Sequence, residues 1–158
     1  MGGRAVKRGE EGQVGGVEGL VFGVLIFVLG TLVVANAWGV VDAKMAAGSA
    51  AREATRSFVE SDASSAEAAF AEAEAVARRT VEGYGRDPDK LVVTPETVSL
   101  RRCARVTLST SYPVPLISLP IFGARGHGFT ATGRHSEIVD PYRAGLADRS
   151  ACPSELTP

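Results

Sequence analysis

The sequence predicts an α+β protein with a long N-terminal transmembrane helix that continues outside the membrane, a second amphipathic helix and a small three-stranded antiparallel sheet. Three observations support this prediction. The run LVFGVLIFVLGTLVVANAWGVV from Leu20 to Val41 is uncharged and apolar, the next 18 residues repeat small apolar side chains at helical spacing, and the second half alternates polar with apolar residues.

The apolar run is long enough to cross a bilayer, because a span needs about 20 residues. Basic residues precede it and an acidic residue follows it, so the positive-inside rule places the N-terminus in the cytoplasm and the C-terminal part outside; these residues are Arg4, Lys7, Arg8 and Asp42. A cleaved secretory signal is the alternative, because Ala35-Asn36-Ala37 is an A-x-A site. The run is long for a signal core of about 7–15 residues and continues to Val41. Both features favour a helix that stays in the mature protein over a signal that is cleaved off.

Two features of this helix are candidates for contacts with other helices. Glycines at positions 15, 19, 23 and 30 fall within one narrow stripe, and such stripes let helix backbones approach closely in membranes; glycine is also simply common in spanning helices. Glu18 lies at the cytoplasmic entrance, where a carboxylate is costly unless it has a partner or reaches the headgroups. The candidate assembly residues are therefore Gly15, Glu18, Gly19, Gly23 and Gly30.

The long helix is expected to extend from near Val14 to Val59, because small apolar residues recur beyond the membrane and no proline interrupts the chain before Pro88. This series is Ala43, Ala47, Ala50, Ala54 and Phe58. Ser64 and Glu67 have the spacing of a capping box and predict the start of a second helix. Its apolar face comprises Ala66, Ala69, Phe70, Ala73, Val76, Ala77, Thr80 and Val81, and Gly83-Tyr84-Gly85 ends it.

Strands are predicted over Leu91–Leu100, Cys103–Tyr112 and Gly128–Val139. The three prolines of the segment 113–128 argue against a central strand there, and its apolar residues either pack against the long helix or rest on the outer leaflet. The predicted organisation is a basic cytoplasmic leader (1–13), the transmembrane helix and its extension (14–59), an extracytoplasmic helix plus sheet (60–143) and a flexible tail (144–158).

Composition argues against several functional classes. A net charge of −1 gives no broad field for nucleic acid, and the local cluster Arg101, Arg102 and Arg105 is interpreted as solvated strand ends. Cys103 and Cys152 alone cannot form a thiolate zinc site; a disulfide between them is permitted in an outer compartment, and the sequence leaves its formation open. Without a recognisable nucleophile motif or phosphate-binding loop, no enzyme, metal site or cofactor is predicted.

Three segments together resemble the TadE-like proteins of the tight-adherence branch of type IV pilus systems. The first is the leader Arg8-Gly9-Glu10-Glu11-Gly12 followed by Glu18 and the apolar run, and the second is Ala50–Arg56. The third is a C-terminal pattern, which comprises Arg102–Thr107, Tyr112–Leu116 and Ala131–Arg143. The resemblance covers about three quarters of the chain and rests on the order and spacing of pieces that are individually short.

The resemblance implies a pilin-like protein whose leader is removed after a glycine by a prepilin-type peptidase and whose glutamate, fifth in the mature chain, helps subunits to register. In this sequence Glu18 is sixth if the cut follows Gly12, and it is fifth only if the cut follows Gln13. Gly12 and Gln13 are therefore both processing candidates. Other pilin-like subunits, contacted through the N-terminal helix, and the membrane itself are the implied partners.

Two functional hypotheses follow. In the first, the chain is a minor pilin-like structural subunit of a tight-adherence pilus or secretion apparatus. In the second, it is a membrane-tethered or secreted extracytoplasmic binding module without a pilus role. A mature N-terminus near Gln13 or Val14 indicates the first, and one at Trp38 indicates secretion.

Overall fold

The computed structural model describes residues 11–115, 128–146 and 152, and for residues 11–15 it describes the backbone alone. Within these residues the chain forms a long helix α1 (Glu11–Glu60), a second helix α2 (Ala66–Gly83), a short 3₁₀ turn (Pro88–Lys90) and three strands. The strands are β1 (Val92–Thr97), β2 (Arg105–Val114) and β3 (Phe129–Ile138). This arrangement confirms the predicted α+β class, with one long apolar N-terminal helix, a second helix and a three-stranded antiparallel sheet.

The chain divides into two compact units, Met1–Trp38 and Gly39–Pro158, which we call the N-terminal unit and the head. In the described part of the N-terminal unit the backbone is entirely α-helical. By length and composition α1 is the one helix, among the described residues, that is able to span a membrane. A signal sequence close to an N-terminus satisfies the same criteria, so both interpretations of the apolar run stand.

The core of the head is built from alanines on the helices and larger residues on the strands. Every member of the predicted apolar series on α1 is fully buried, from Ala43 to Phe58. Ala69, Ala73, Ala77 and Val81 are the fully buried residues of α2, all on its predicted apolar face. These small side chains join the strand residues in one cluster, whose largest buried members include Phe58, Leu91 and Leu108.

The sheet has the order β1-β2-β3, and both pairs are antiparallel. Each strand lies within two or three residues of its predicted bounds at either end, and β2 continues past Tyr112 through Pro113 and Val114. Proline was expected to prevent a central strand here. It is tolerated because β1 pairs with β2 no further than Ser111, so that Pro113 faces an unpaired side of the strand where no N–H is needed.

The capping prediction for α2 was wrong by one residue. The N-cap is Ser65, whose hydroxyl accepts a hydrogen bond from the backbone N–H of Ala68 at 3.2 Å. Ser65 has an extended backbone, as an N-cap requires, and the helix begins at Ala66. Glu67 then lies in the first turn and does not complete a capping box with Ser64. Its negative charge there interacts favourably with the positive end of the helix dipole.

The interpretation of Arg102 as a solvated strand end was also wrong. Its guanidinium donates to the carbonyl oxygens of Arg143 (2.7 Å) and Leu146 (2.8 Å), so it holds the chain that follows β3. Close by, Cys103 is joined to Cys152, with 5.4 Å between the Cα atoms. The flexible tail predicted from residue 144 stays a prediction for 147–151 and 153–158, and the fate of the apolar segment 116–127 also stays open; both lie outside the described residues.

Candidate functional site

The candidate assembly surface is the apolar part of α1 in the N-terminal unit. Its large side chains are exposed around the whole circumference of the helix, from Val17 (65% exposed) to Trp38 (73%). The Thr31 hydroxyl donates to the Phe27 carbonyl oxygen (2.8 Å) and the Asn36 amide donates to that of Leu32 (2.9 Å). Both hydrogen bonds return to carbonyl oxygens of the same helix, four residues earlier in the chain.

The candidate assembly residues lie along this surface. Gly19, Gly23 and Gly30 are helical and exposed, and no atom of another segment lies within 4 Å of where a Cβ would stand on any of them. Glu18 is exposed one turn after Gly15, for which the backbone position in α1 is described. Helical spacing of about 100° per residue therefore gives an uncrowded glycine stripe with one carboxylate beside it.

Both processing candidates lie inside α1, because the helix begins at Glu11 and not near Val14 as predicted. No proline interrupts the chain between Glu11 and Val14, so the backbone can be helical there. Gly12 and Gln13 therefore occupy the first helical turn, and residues 1–10 of the leader lie outside the described part of the chain.

In the head, the sheet lies directly against the backbone of α1. A Cβ added to Gly133 of β3 would overlap the carbonyl of Ala47 and stand 2.8 Å from the Cα of Gly48. The Thr110 hydroxyl of β2 donates to the same Ala47 carbonyl oxygen at 2.7 Å. Small residues on both sides thus permit a contact that is stabilised by packing and one buried hydrogen bond.

Two arginines hold the rest of the head to α1, one near each end of the helix segment that starts at Gly39. Arg86, which follows α2, donates to the Asp42 carboxylate (2.6 Å) and to the Gly39 carbonyl oxygen (3.1 Å), and its guanidinium lies 5.4 Å from the ring centre of Tyr112. Arg143 donates to the Val59 carbonyl oxygen in the last turn at 2.6 Å, where a cation also complements the helix dipole.

A cleft of about 430 Å³ lies between α1 and α2 near the end of α1. Half of its lining residues are acidic, and the pKa of Arg56 is raised by its hydrogen bond to Glu60. Among the described residues, no group of three or more His, Cys, Asp or Glu side chains is placed to hold a metal ion. The lining comprises Glu53, Arg56, Ser57, Glu60, Ser61, Asp62, Glu72 and Val76.

The residues that hold the head together differ in how visible they are in the sequence. The close packing at Gly133 could be predicted from the sequence, because a glycine inside a strand often marks a close approach of another backbone. Arg86 and Arg143 lie in connecting segments where no periodic pattern applies, and their partners are 44 and 84 residues away. Nothing in the sequence alone distinguishes them from solvated charges.

Comparison with known proteins returned no family model, no curated protein and no solved structure that matches this chain.

Proposed function

We propose that this chain is a minor pilin-like subunit of a tight-adherence pilus or secretion apparatus, and that it assembles through α1. The observation that carries the proposal is the surface of α1 in the N-terminal unit, which is apolar and exposed on all sides. Such a surface needs lipid or other helices around it. The TadE-like pattern of leader, glutamate and C-terminal segments supports a pilus system as the setting.

In this proposal the helix spans the cytoplasmic membrane once, and the head lies outside the cytoplasm. The basic residues of the leader support that orientation. The disulfide between Cys103 and Cys152 supports it as well, because disulfides persist in oxidising compartments and are rare in the cytosol.

Glu18 supplies the specificity of assembly. Cutting after Gly12 or Gln13 creates a new N-terminal ammonium five or four residues before Glu18. In a low-dielectric environment an unpaired carboxylate is costly, so pairing with the ammonium of a neighbouring subunit is favoured. The glycine stripe beside Glu18 lets the neighbouring helix approach closely enough for that pair to form.

Substitution at Glu18 tests this role. In a host with an active tight-adherence system, Glu18→Ala and Glu18→Gln should both lower incorporation into sheared pili or the assembled apparatus, while the amount of protein in the membrane stays at the wild-type level. Thr31→Ala is the matched control, because the hydroxyl of Thr31 donates to the carbonyl oxygen of Phe27 in the same helix. Pilus output equal to wild type in both Glu18 variants would refute the assembly role.

A secreted binding module is the second candidate. One observation favours it: the head begins as a compact unit at Gly39, one residue after the N-terminus that cutting after Ala37 would leave. Mass spectrometry of the mature chain distinguishes the two proposals, because the secreted form starts at Trp38 and the pilin-like form at Gln13 or Val14.

A further inference from the structure

The sheet of the head has two edges, and the edge formed by β3 is the longer one. β3 has ten residues, and it pairs with β2 in one unbroken register from Phe129 to Ile138. Within residues 11–115, 128–146 and 152, no strand pairs with the other side of β3. Unpaired N–H and C=O groups along such an edge can bond to an extended segment of another chain.

The register identifies the backbone groups of β3 that face outward. The Val139 N–H donates to the Ala104 carbonyl oxygen (3.0 Å), one step beyond the last paired residues of the two strands. Bonded and non-bonded positions alternate in an antiparallel pair, so the odd-numbered residues of β3 bond to β2 and the even-numbered residues direct their N–H and C=O groups to the open side. The outward-facing residues are Thr130, Thr132, Arg134, Ser136 and Ile138.

Lys44 of α1 reaches the open side of β3. Its ammonium donates to the backbone carbonyl oxygen of Thr132 and also lies 3.4 Å from the Thr132 hydroxyl oxygen. A strand added to this edge would lie about 4.8 Å from β3 and would use the same carbonyl oxygen as an acceptor. The Lys44 side chain therefore stands where the backbone of an added strand would be.

The opposite edge of the sheet is closed by a different residue. Pro95 of β1 lies opposite Leu108, an even-numbered residue of β2 whose backbone groups face β3, so the backbone nitrogen of Pro95 faces outward. Proline has no N–H to offer to a further strand. The register of β1 also shifts between Pro95 and Thr97. Irregular pairing, proline and lysine are all features by which sheets avoid pairing edge to edge.

We propose that Lys44 is an edge cap, which keeps β3 from pairing with β3 of a second copy of this chain. A second copy is the partner to be excluded, because its β3 carries the same row of outward-facing groups over the same ten residues. The edge cap is independent of the role proposed for the N-terminal unit. Where α1 brings copies together, the edge cap prevents their heads from joining into one continuous sheet.

Substitution of Lys44 tests the edge cap in the full-length protein in detergent. Lys44→Met keeps a long side chain without the ammonium, whereas Lys44→Arg keeps a cationic donor. Lys90→Met is the matched control, because Lys90 is another exposed lysine and pairs with Asp87 in the 3₁₀ turn. Sedimentation velocity over a range of protein concentrations measures association, and hydrogen exchange of the outward-facing amides of β3 shows where it occurs.

A second substitution separates edge pairing from misfolding. Arg134→Pro removes an N–H that faces outward, so it leaves the ladder between β2 and β3 intact and disables the open side alone. It is introduced into the Lys44→Met chain, and the double variant is compared with Lys44→Met.

We expect Lys44→Met to associate at a concentration about tenfold lower than the wild type does, because a charge-assisted hydrogen bond no longer competes with pairing. Its outward-facing amides should exchange more slowly as concentration rises, while Lys44→Arg and Lys90→Met behave as the wild type. Arg134→Pro should abolish the additional association. Association of Lys44→Met equal to that of the wild type would overturn the edge cap, and so would additional association that persists with Arg134→Pro. Association through α1 is common to all variants, so its absence bears on the proposed function alone.

Discussion

Replacing Gly133 with alanine should destabilise the head strongly, because the added methyl group has no space. Its Cβ would overlap the Ala47 carbonyl and crowd the Cα of Gly48, which are backbone atoms and cannot rotate away. Overpacking of this kind costs about 1–3 kcal/mol. Displacing the sheet also stretches the buried hydrogen bond from Thr110 to Ala47, which is worth about 1 kcal/mol. We therefore expect a loss of about 3 kcal/mol.

Gly48→Ala is the matched control, since Gly48 lies on the opposite side of the same contact. A Cβ on Gly48 meets nothing within 4 Å, and alanine favours the helix by about 0.5–1 kcal/mol. Thermal unfolding in detergent, followed by circular dichroism, should show a midpoint roughly 10 °C lower for Gly133→Ala and an equal or higher midpoint for Gly48→Ala. A Gly133→Ala midpoint within 2 °C of wild type, an allowance of roughly 0.5 kcal/mol, would refute the close packing of β3 on α1.

Two further predictions concern the groups that hold the head together. Cys152→Ser should lower the melting midpoint as much as reduction of the wild type does. The disulfide closes a loop of 49 residues, and the chain-entropy model gives such a bond about 4 kcal/mol of stability. Equal midpoints of the wild type with and without reductant would contradict a stabilising bond. Arg86→Met should cost about 1–2 kcal/mol in the same melts, since its carboxylate partner is partly exposed. The control Arg56→Met removes an exposed ion pair with Glu60 and should leave the melting midpoint unchanged.

Periodicity in the sequence was sufficient to predict the elements of this fold. The alanine series on α1 and the apolar face of α2 repeat at helical spacing, and the structure buries them as predicted. Alternation placed the strands because a half-buried sheet needs apolar residues at every second position. These patterns involve residues that are close in sequence, so they can be recognised without knowledge of the tertiary structure.

The errors arose where long-range contacts decide the outcome. Arg102 was interpreted as a solvated strand end. In the structure its guanidinium donates hydrogen bonds to two carbonyl oxygens of the chain after β3, more than 40 residues away. The prolines of segment 113–128 were predicted to exclude a central strand, but β2 continues through Pro113, at a point where it pairs with β3 and no longer with β1. In both cases the deciding neighbour is distant in sequence, so no window of adjacent residues contains the information.

The candidate assembly residues were predictable in position, because the apolar run and its glycine stripe can be identified directly in the sequence. Their role depends on groups outside this chain, namely lipid, a peptidase and neighbouring subunits.

The mass of the mature N-terminus tests the proposed assembly role most directly. The chain is expressed together with a tight-adherence prepilin-type peptidase, purified from the membrane fraction and analysed by intact-mass and N-terminal peptide spectrometry. The pilin-like account predicts a chain that begins at Gln13 or Val14 and keeps the whole apolar part of α1. A chain that begins at Trp38, or one that keeps its leader when the peptidase is active, would contradict it.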